Sequence, residues 1–469
     1  MRRPLIVFAL VLASACASAP STRSAASTPA VVAGVAEIDI TPQDPIRLTG
    51  YGNRVEPARE VRQRLYARAL AFGEGRGGAV LITADLIGVP RTLSDEVAKR
   101  LADRGMTRAS LAISSTHTHT GPSLSGVLPF IFNSPVTPEQ RAVIDKYTAW
   151  LTGRLEQVAR AALDDRRPAQ LAWGQGRAGF AANRRVLKDG KWTTFGITPD
   201  GAVDHDLPVL TVRGADGALR AVLVSYACHA TTLEGRDNFV HGDWPGMSRE
   251  LIRKNHPGAI ALVAIGTGAD ANPNPRGGGL PDVERNAGTV AAEVDRLLTT
   301  TLRPIRSTPR TAFRSIDLPL AALPSREEWE ARAKKDEPGG FQARDVLRRL
   351  DRGERVPGTA AYPVQVWSFG SDLAMVFLGG EVVADYGLRL KRELDATRLW
   401  VNAYSNDVAF YVASRRMIPE GGYEVDRSMV YYGQPARLGD ETEDLIVRTV
   451  RELVPQGFLR STGGQEIKR

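Results

Sequence analysis

Cysteine is scarce: Cys16 and Cys228 are the only two in 469 residues, which excludes a disulfide framework. No stretch is apolar enough to span a bilayer, the short apolar run near the start included. Long Lys/Arg runs are missing too. The 61 Lys+Arg against 53 Asp+Glu give a formal charge of +8, but they are scattered, with little aromatic interleaving, which speaks against nucleic acid as a partner. The loop Gly266 to Asn274 has neither the Lys-Ser/Thr of a phosphate loop nor the glycine spacing of a dinucleotide site, and reads as turn chemistry. No Gly-x-Ser-x-Gly elbow occurs, which weakens a serine-hydrolase reading. What is there, 43% hydrophobic and 24% charged residues, suffices for a large core and excludes a disordered tail or a collagen-like rod.

The opening MRRPLIVFALVLASACASAP has the form of an export signal over residues 1–16: positive Arg2 and Arg3, a short apolar stretch from Pro4 to Ala13, then small residues. Two readings of Cys16 stay open. Ala13-Ser14-Ala15-Cys16 is similar to a bacterial lipobox, with Leu12 one place early; lipidated Cys16 would then be the membrane contact. Alternatively the protein is simply secreted after cleavage at an Ala-x-Ala site. Either way, export to the periplasm, cell envelope or medium is expected, with residues 17–30 as a flexible Ser/Thr/Ala/Pro tether. Residues 31–456 show no linker and no repeat and are expected to form a single domain, followed by a tail over 457–469.

Within that domain, short apolar runs alternate with helical stretches. AVLITADL (79–86), SLAISST (110–116), AVLVSYA (221–227), AIALVAIG (259–266), LAMVFLG (373–379) and LWVNAYS (399–405) read as buried strands. A capping box, Thr137-Pro138-Glu139-Gln140, opens a helix whose apolar residues recur from Val143 to Val158. Asp189-Gly190 and Asp216-Gly217 mark hairpin turns. Residues 325–355 form a charged helical excursion, and a last helix runs from about Glu441 to Leu453. The alternation predicts an α/β fold, with α+β as its variant: layered sheets flanked by helices. Five strands run straight into polar clusters, so a site is expected at the carboxyl ends of strands.

The chemistry-bearing residues sit in those clusters. His117 and His119 are two apart, which on an extended segment points both imidazoles one way, a pattern suited to a metal ion. His229 follows a buried strand and gains meaning from that pair; Cys228 beside it reads as core filler. In His241-Gly242-Asp243-Trp244-Pro245, Asp243 as N-cap is a sufficient account of the segment, with a site role for His241 as the alternative. Glu381 follows Gly379-Gly380 at a strand-to-helix turn, as a helix-start residue or a metal ligand. Tyr411 and Tyr423 read alone are ordinary aromatics. A second metal, with Asp85 or Asp243, is left open.

Taken in order, GVAEIDITP with LTGYG, STHTHTGP, AANRR, CHATTL, ADANPN, FLGGE and the Tyr411/Tyr423 region resemble the neutral/alkaline (non-lysosomal) ceramidase family over roughly residues 34–435. The resemblance implies Zn²⁺ held by His117, His229, Glu381 and Tyr411. It implies further that His119 faces the scissile amide, that Arg184 contacts substrate, and that Tyr423 lies beside the reacting carbonyl. Two departures stand out. Asn272 replaces the serine of the family's GDxSPN-like loop, and the C-terminal β-sandwich of those enzymes is not in this sequence. The implied function is zinc-dependent hydrolysis of an N-acylated, lipid-like small substrate such as ceramide by a metal-activated water, with Asn272 still able to position substrate. The alternatives are an exported metal-dependent hydrolase or esterase with a non-sphingolipid substrate, and an inactive envelope-tethered binding protein.

Overall fold

The computed structural model describes residues 31–460. The signal segment with Cys16, the tether and most of the tail lie outside the described residues. Among the described residues there are eight α-helices: α1 (Arg91–Arg100), α2 (Pro138–Asp164), α3 (Asp243–Asn255), α4 (Leu280–Leu298), α5 (Arg326–Ala333), α6 (Pro338–Asp351), α7 (Ala384–Glu393) and α8 (Thr442–Leu453). No helix among them is long and apolar enough to cross a membrane.

Two mixed sheets organise the chain. The larger has nine strands, in the order Ile260–Ile265, Leu219–Tyr226, Asp206–Gly214, Arg167–Arg177, Val31–Asp39, Tyr66–Phe72, Ala79–Ala84 and Leu111–Ser115, with Arg303–Ile305 also paired to Arg167–Arg177. The smaller holds Arg310–Pro319, Thr359–Phe369, Leu373–Leu378 and Leu399–Asn402 in that order. Three pairs are parallel, namely 219–226 with 260–265, 79–84 with 111–115, and 373–378 with 399–402. The remaining neighbours within these two sheets run antiparallel.

Strand periodicity explains how the layers stack. Along 373–378, Leu373, Met375 and Phe377 enter one core, while Ala374, Val376 and Leu378 enter another. The first core lies between the sheets: Leu70, Leu81, Trp173 and Leu223 from the larger meet Trp367, Phe377 and Trp400 from the smaller. Helices cover the outward faces, with α2 on 31–39 and 66–72, α3 on 260–265 and α8 on 359–369. The fold is therefore the expected layered α/β type, and the pairing of the two inward faces is what sequence did not foretell. Those faces carry bulky rings that bury one another, so no helix is needed between them.

Several local expectations hold. Thr137 accepts from the Gln140 N–H at 3.2 Å, and the Gln140 side chain accepts from the Thr137 N–H at 3.3 Å. Thr137→Ala is expected to lower the unfolding free energy by about 1 kcal/mol in a urea titration, with an unchanged m value. Asp189 and Gly190 turn the hairpin of Ala181–Lys188 and Lys191–Thr198 with φ of 50° and 72°. The charged excursion is α5 and α6, closed around Trp329, Ala343 and Val346.

Candidate metal centre

Five strand ends deliver the site, and backbone hydrogen bonds stitch them together. The Ala403 N–H donates to Ile265, Ser115 N–H to Tyr404, Tyr404 N–H to Gly380, and Ala269 N–H to Val382. Glu381 and Val382 pair in parallel with Tyr411 and Val412. His229 N–H donates to Ala271, whose short strand Ala271–Pro273 pairs with Ala181–Asn183. The loop after Ile265 thus contains strand as well as turn.

His117, His119, His229 and Glu381 converge. The Nε2 of His117 lies 3.1 Å from that of His229 and 3.2 Å from that of His119. Glu381 Oε2 is 3.0 Å from His117 Nε2 and 3.1 Å from His229 Nε2. Tyr411 closes the group, its hydroxyl 3.2 Å from His229 Nε2. His117, His229, Glu381 and Tyr411 are all buried.

The hydrogen bonds behind the rings set their tautomers. Nδ1 of His117 faces the Ile87 carbonyl at 2.6 Å, that of His229 the Gly268 carbonyl at 3.2 Å, and that of His119 the Gly50 carbonyl at 3.1 Å. Carbonyls only accept, so in a neutral ring the proton sits on Nδ1 and the Nε2 lone pair is bare. Burial pushes the His229 pKa down to about 3, helped by the nearby Arg184 charge, and burial also drives His119 well below its ordinary value. Tyr432 donates to Oε1 of Glu381, while Oε2 has no hydrogen-bond partner. Bare nitrogens and an orphaned carboxylate oxygen therefore face one another in a buried space. Such a donor set fits a cation, and imidazole with carboxylate is a composition that zinc accepts.

One detail departs from expectation. His117 is not extended but left-handed, with φ of 57°. The pair still converges because this turn brings Nδ1 onto Ile87 O, a backbone strain of about 1–3 kcal/mol that the surrounding bonds must hold. His119 joins the imidazole trio as a third nitrogen donor; all three ligand atoms lie within 4.8 Å of one another.

Beside the cluster opens a cleft of about 320 Å³, lined in part by His119, Arg184, Asn272, Tyr411 and Tyr423. All eight site residues expected from sequence thus meet in one place. Arg184 is pinned: Nε donates to Glu424 at 2.8 Å, Nη1 to Asn272 Oδ1 at 3.2 Å, and Nη2 to the Tyr411 hydroxyl at 3.2 Å. Asn272 Oδ1 also accepts from Thr231 Oγ1 at 3.3 Å, which leaves its amide N–H₂ as the group to donate into the cleft. The Tyr423 ring lies 5.4 Å from that of Tyr411.

Other expectations are corrected. Gly242, not Asp243, is the N-cap of α3, and Asp243 is its first residue with φ of 53°. Its carboxylate accepts backbone N–H groups of Thr232, Leu233 and Trp244, and so ties the segment after His229 to the helix. Asp85 binds Arg249 and the Tyr66 N–H. Both carboxylates are thereby engaged in structure. His241 accepts from the Asp243 N–H and its carbonyl takes the hydroxyls of Thr118 and Thr120, a bracing role for the His117 loop. Cys228 is buried in the core as expected. Sequence reasoning missed Glu424, Tyr432 and Asp270; Asp270 accepts from Ala384 N–H and from Asn183, and burial raises its pKa to about 6. The only signal for Glu424 was its place beside Tyr423.

Layered sheets with a buried imidazole–carboxylate cluster at strand ends define a protein with a donor set that could hold a metal ion beside an open cleft. A family profile described as neutral/alkaline non-lysosomal ceramidase, N-terminal, matches residues 32–278, more than half of the chain. The chain belongs to that family. Neutral ceramidase B of Dictyostelium discoideum is 23% identical over 259 residues, covering 50% of this chain and 34% of that protein. Neutral ceramidase of Pseudomonas aeruginosa is 23% identical over 253 residues, covering 51% and 37%. These matches therefore span little more than a third of the relatives' own length. The crystal structure of neutral ceramidase from Pseudomonas aeruginosa shares the fold with a TM-score of 0.68 at 17% identity, over 91% of this chain and 74% of that one. A structure described as ceramidase complexed with C2 has a TM-score of 0.67 at 17% identity, over 90% and 76%.

Proposed function

We propose that this protein is an exported zinc-dependent amide hydrolase that cleaves N-acylated, lipid-like substrates such as ceramide. The observation that carries the reading is the orphaned Glu381 oxygen facing two bare imidazole nitrogens. His117, His229, Glu381 and Tyr411 would hold the ion. Bound zinc would supply Lewis acidity and lower the pKa of a water molecule to about 7.

The chain's own groups do the rest. His119, neutral and oriented by Gly50, has its Nε2 free to take a proton and return it to the leaving nitrogen. Tyr423 keeps its proton, because burial raises its pKa, and so donates to a developing oxyanion, a role that contributes about 3 kcal/mol elsewhere. Arg184 holds Tyr411 and Asn272 in place, and Asn272 offers its amide N–H₂ to the substrate. No covalent acyl-enzyme is required.

The test is metal analysis with amide turnover, before and after chelation. About one zinc per chain is expected, with turnover lost on chelation and restored by zinc; full turnover in metal-free protein would end the reading. His119→Ala should keep the metal and lose turnover if His119 serves the proton. Loss of the metal instead would place His119 among the ligands, a reading its position in the imidazole trio favours. Tyr432→Phe removes the hydroxyl that steadies Glu381 and is expected to weaken metal affinity about 10-fold, measured by competition with a chelator.

A further inference from the structure

The cleft is small, and ringed by polar side chains, for a site that takes two long alkyl chains. Its roughly 320 Å³ lies at the lower end of the ~300–1,000 Å³ range of small-molecule sites. Apart from glycines, only Ile131 and Phe195 of its lining lack a polar side-chain atom. Two guanidiniums line it, and they differ. Arg184 is met by Glu424 at 2.8 Å. Arg276 is anchored through Nε on the Thr231 carbonyl at 3.0 Å, but the Glu234 carboxylate beside it is 3.8 Å away and also serves Arg236 at 3.3 Å. Its Nη2 reaches only the Tyr51 hydroxyl, at 3.5 Å, and the Tyr51 proton goes to the Leu233 carbonyl. The side chain is about one-third exposed. Thr231, whose carbonyl anchors Arg276, also contacts Asn272, which leads through Arg184 to Tyr411 and the imidazoles. A polar wall thus runs unbroken from the metal centre to a cation with no carboxylate at hydrogen-bond distance.

A forked guanidinium at that place recognises a planar anion, with donors matched to a carboxylate. We infer, resting on the amide-hydrolase reading, that the substrate is an N-acyl amino acid whose carboxylate sits on Arg276, with its acyl chain leaving along Ile131 and Phe195. In the reaction, a bond forms between water oxygen and the acyl carbon, the C–N bond breaks, and a proton passes to the amino nitrogen. A fatty carboxylate and a free amino acid result. A diol head group like that of a sphingoid base would offer Arg276 hydroxyls and no planar anion to match its fork.

Zinc-loaded wild-type protein, Arg276→Gln, Arg276→Lys and the distant control Arg306→Gln, an exposed cation paired with Asp372, are compared on N-dodecanoylglycine, its carboxamide and a short-chain ceramide. Binding of N-dodecylglycine and its carboxamide, which have no scissile N-acyl bond, is measured in parallel by calorimetry. In wild type the acid is expected to surpass the carboxamide at least ~10-fold in kcat/KM and in affinity. Arg276→Gln should collapse that ratio toward one mainly through KM, Arg276→Lys should restore part of it, and Arg306→Gln should keep it, all with unchanged zinc content. Equal handling of acid and carboxamide by wild type, or a ratio untouched in Arg276→Gln, overturns the inference. Turnover of ceramide without preference for the acid overturns it too, while leaving the amide-hydrolase reading intact. If no amide is cleaved by zinc-loaded protein, that reading fails and the substrate assignment falls with it; the calorimetry still decides whether Arg276 seats a carboxylate.

Discussion

Alanine in place of His229 is expected to abolish stoichiometric zinc binding and to lower kcat/KM on an N-acyl substrate by at least ~10³-fold, or about 4 kcal/mol of transition-state stabilisation. His229 is fully buried and central: its Nε2 faces His117, Glu381 and Tyr411 at once, while its backbone carbonyl accepts from Trp244 Nε1 at 2.8 Å. The backbone bond survives the substitution, so the loop should keep its course. Far-UV circular dichroism would check that, and elemental analysis with turnover would check the rest. A His229→Ala protein carrying one zinc per chain and retaining activity would refute the ligand assignment.

The second large effect is one of stability. Glu424→Gln removes the carboxylate between two buried guanidiniums, Arg184 at 2.8 Å on Oε1 and Arg185 on Oε2. Arg185 retains Glu420 at 3.0 Å, but Arg184 retains only neutral partners. Leaving a buried charge without its counter-ion costs about 3–5 kcal/mol, far more than the intact pair is worth against an apolar replacement. A urea titration should show that loss, whereas Arg296→Ala, which breaks an exposed pair with Glu293, should cost no more than about 0.5 kcal/mol. A Glu424→Gln protein as stable as wild type would mean that Arg184 finds another neutraliser.

The two effects also mark what sequence made visible. His117, His229 and Glu381 stood out because each follows an apolar run that could only be a strand, and strand ends are where such sheets place their sites. The Thr137 cap and the Asp189-Gly190 turn were visible because their bonds join residues one to three apart. Glu424 was invisible for the opposite reason: its partners lie 240 and 239 residues away, and no local period announces an ion pair across that distance. Tyr432, 51 residues beyond Glu381, was hidden likewise. The apolar run over 373–379 announced a buried strand without saying that its two faces would enter different cores, one of them shared with the other sheet. The left-handed turn at His117 follows from a tertiary bond to Ile87, which a dipeptide pattern does not encode.

His117 and His229 follow strands of the larger sheet, whereas Glu381 and Tyr411 sit on a separate two-stranded pair that follows strands of the smaller. An ion held by all four would act as a rivet through both layers. Slippage of one layer over the other by a single residue, about 3.3 Å, would match the 3.0–3.2 Å between neighbouring donors and leave the rivet without a hole. Metal affinity in this protein should therefore gauge the alignment of its layers, and damage to the aromatic seam at Trp367 or Trp400 should loosen the ion from afar.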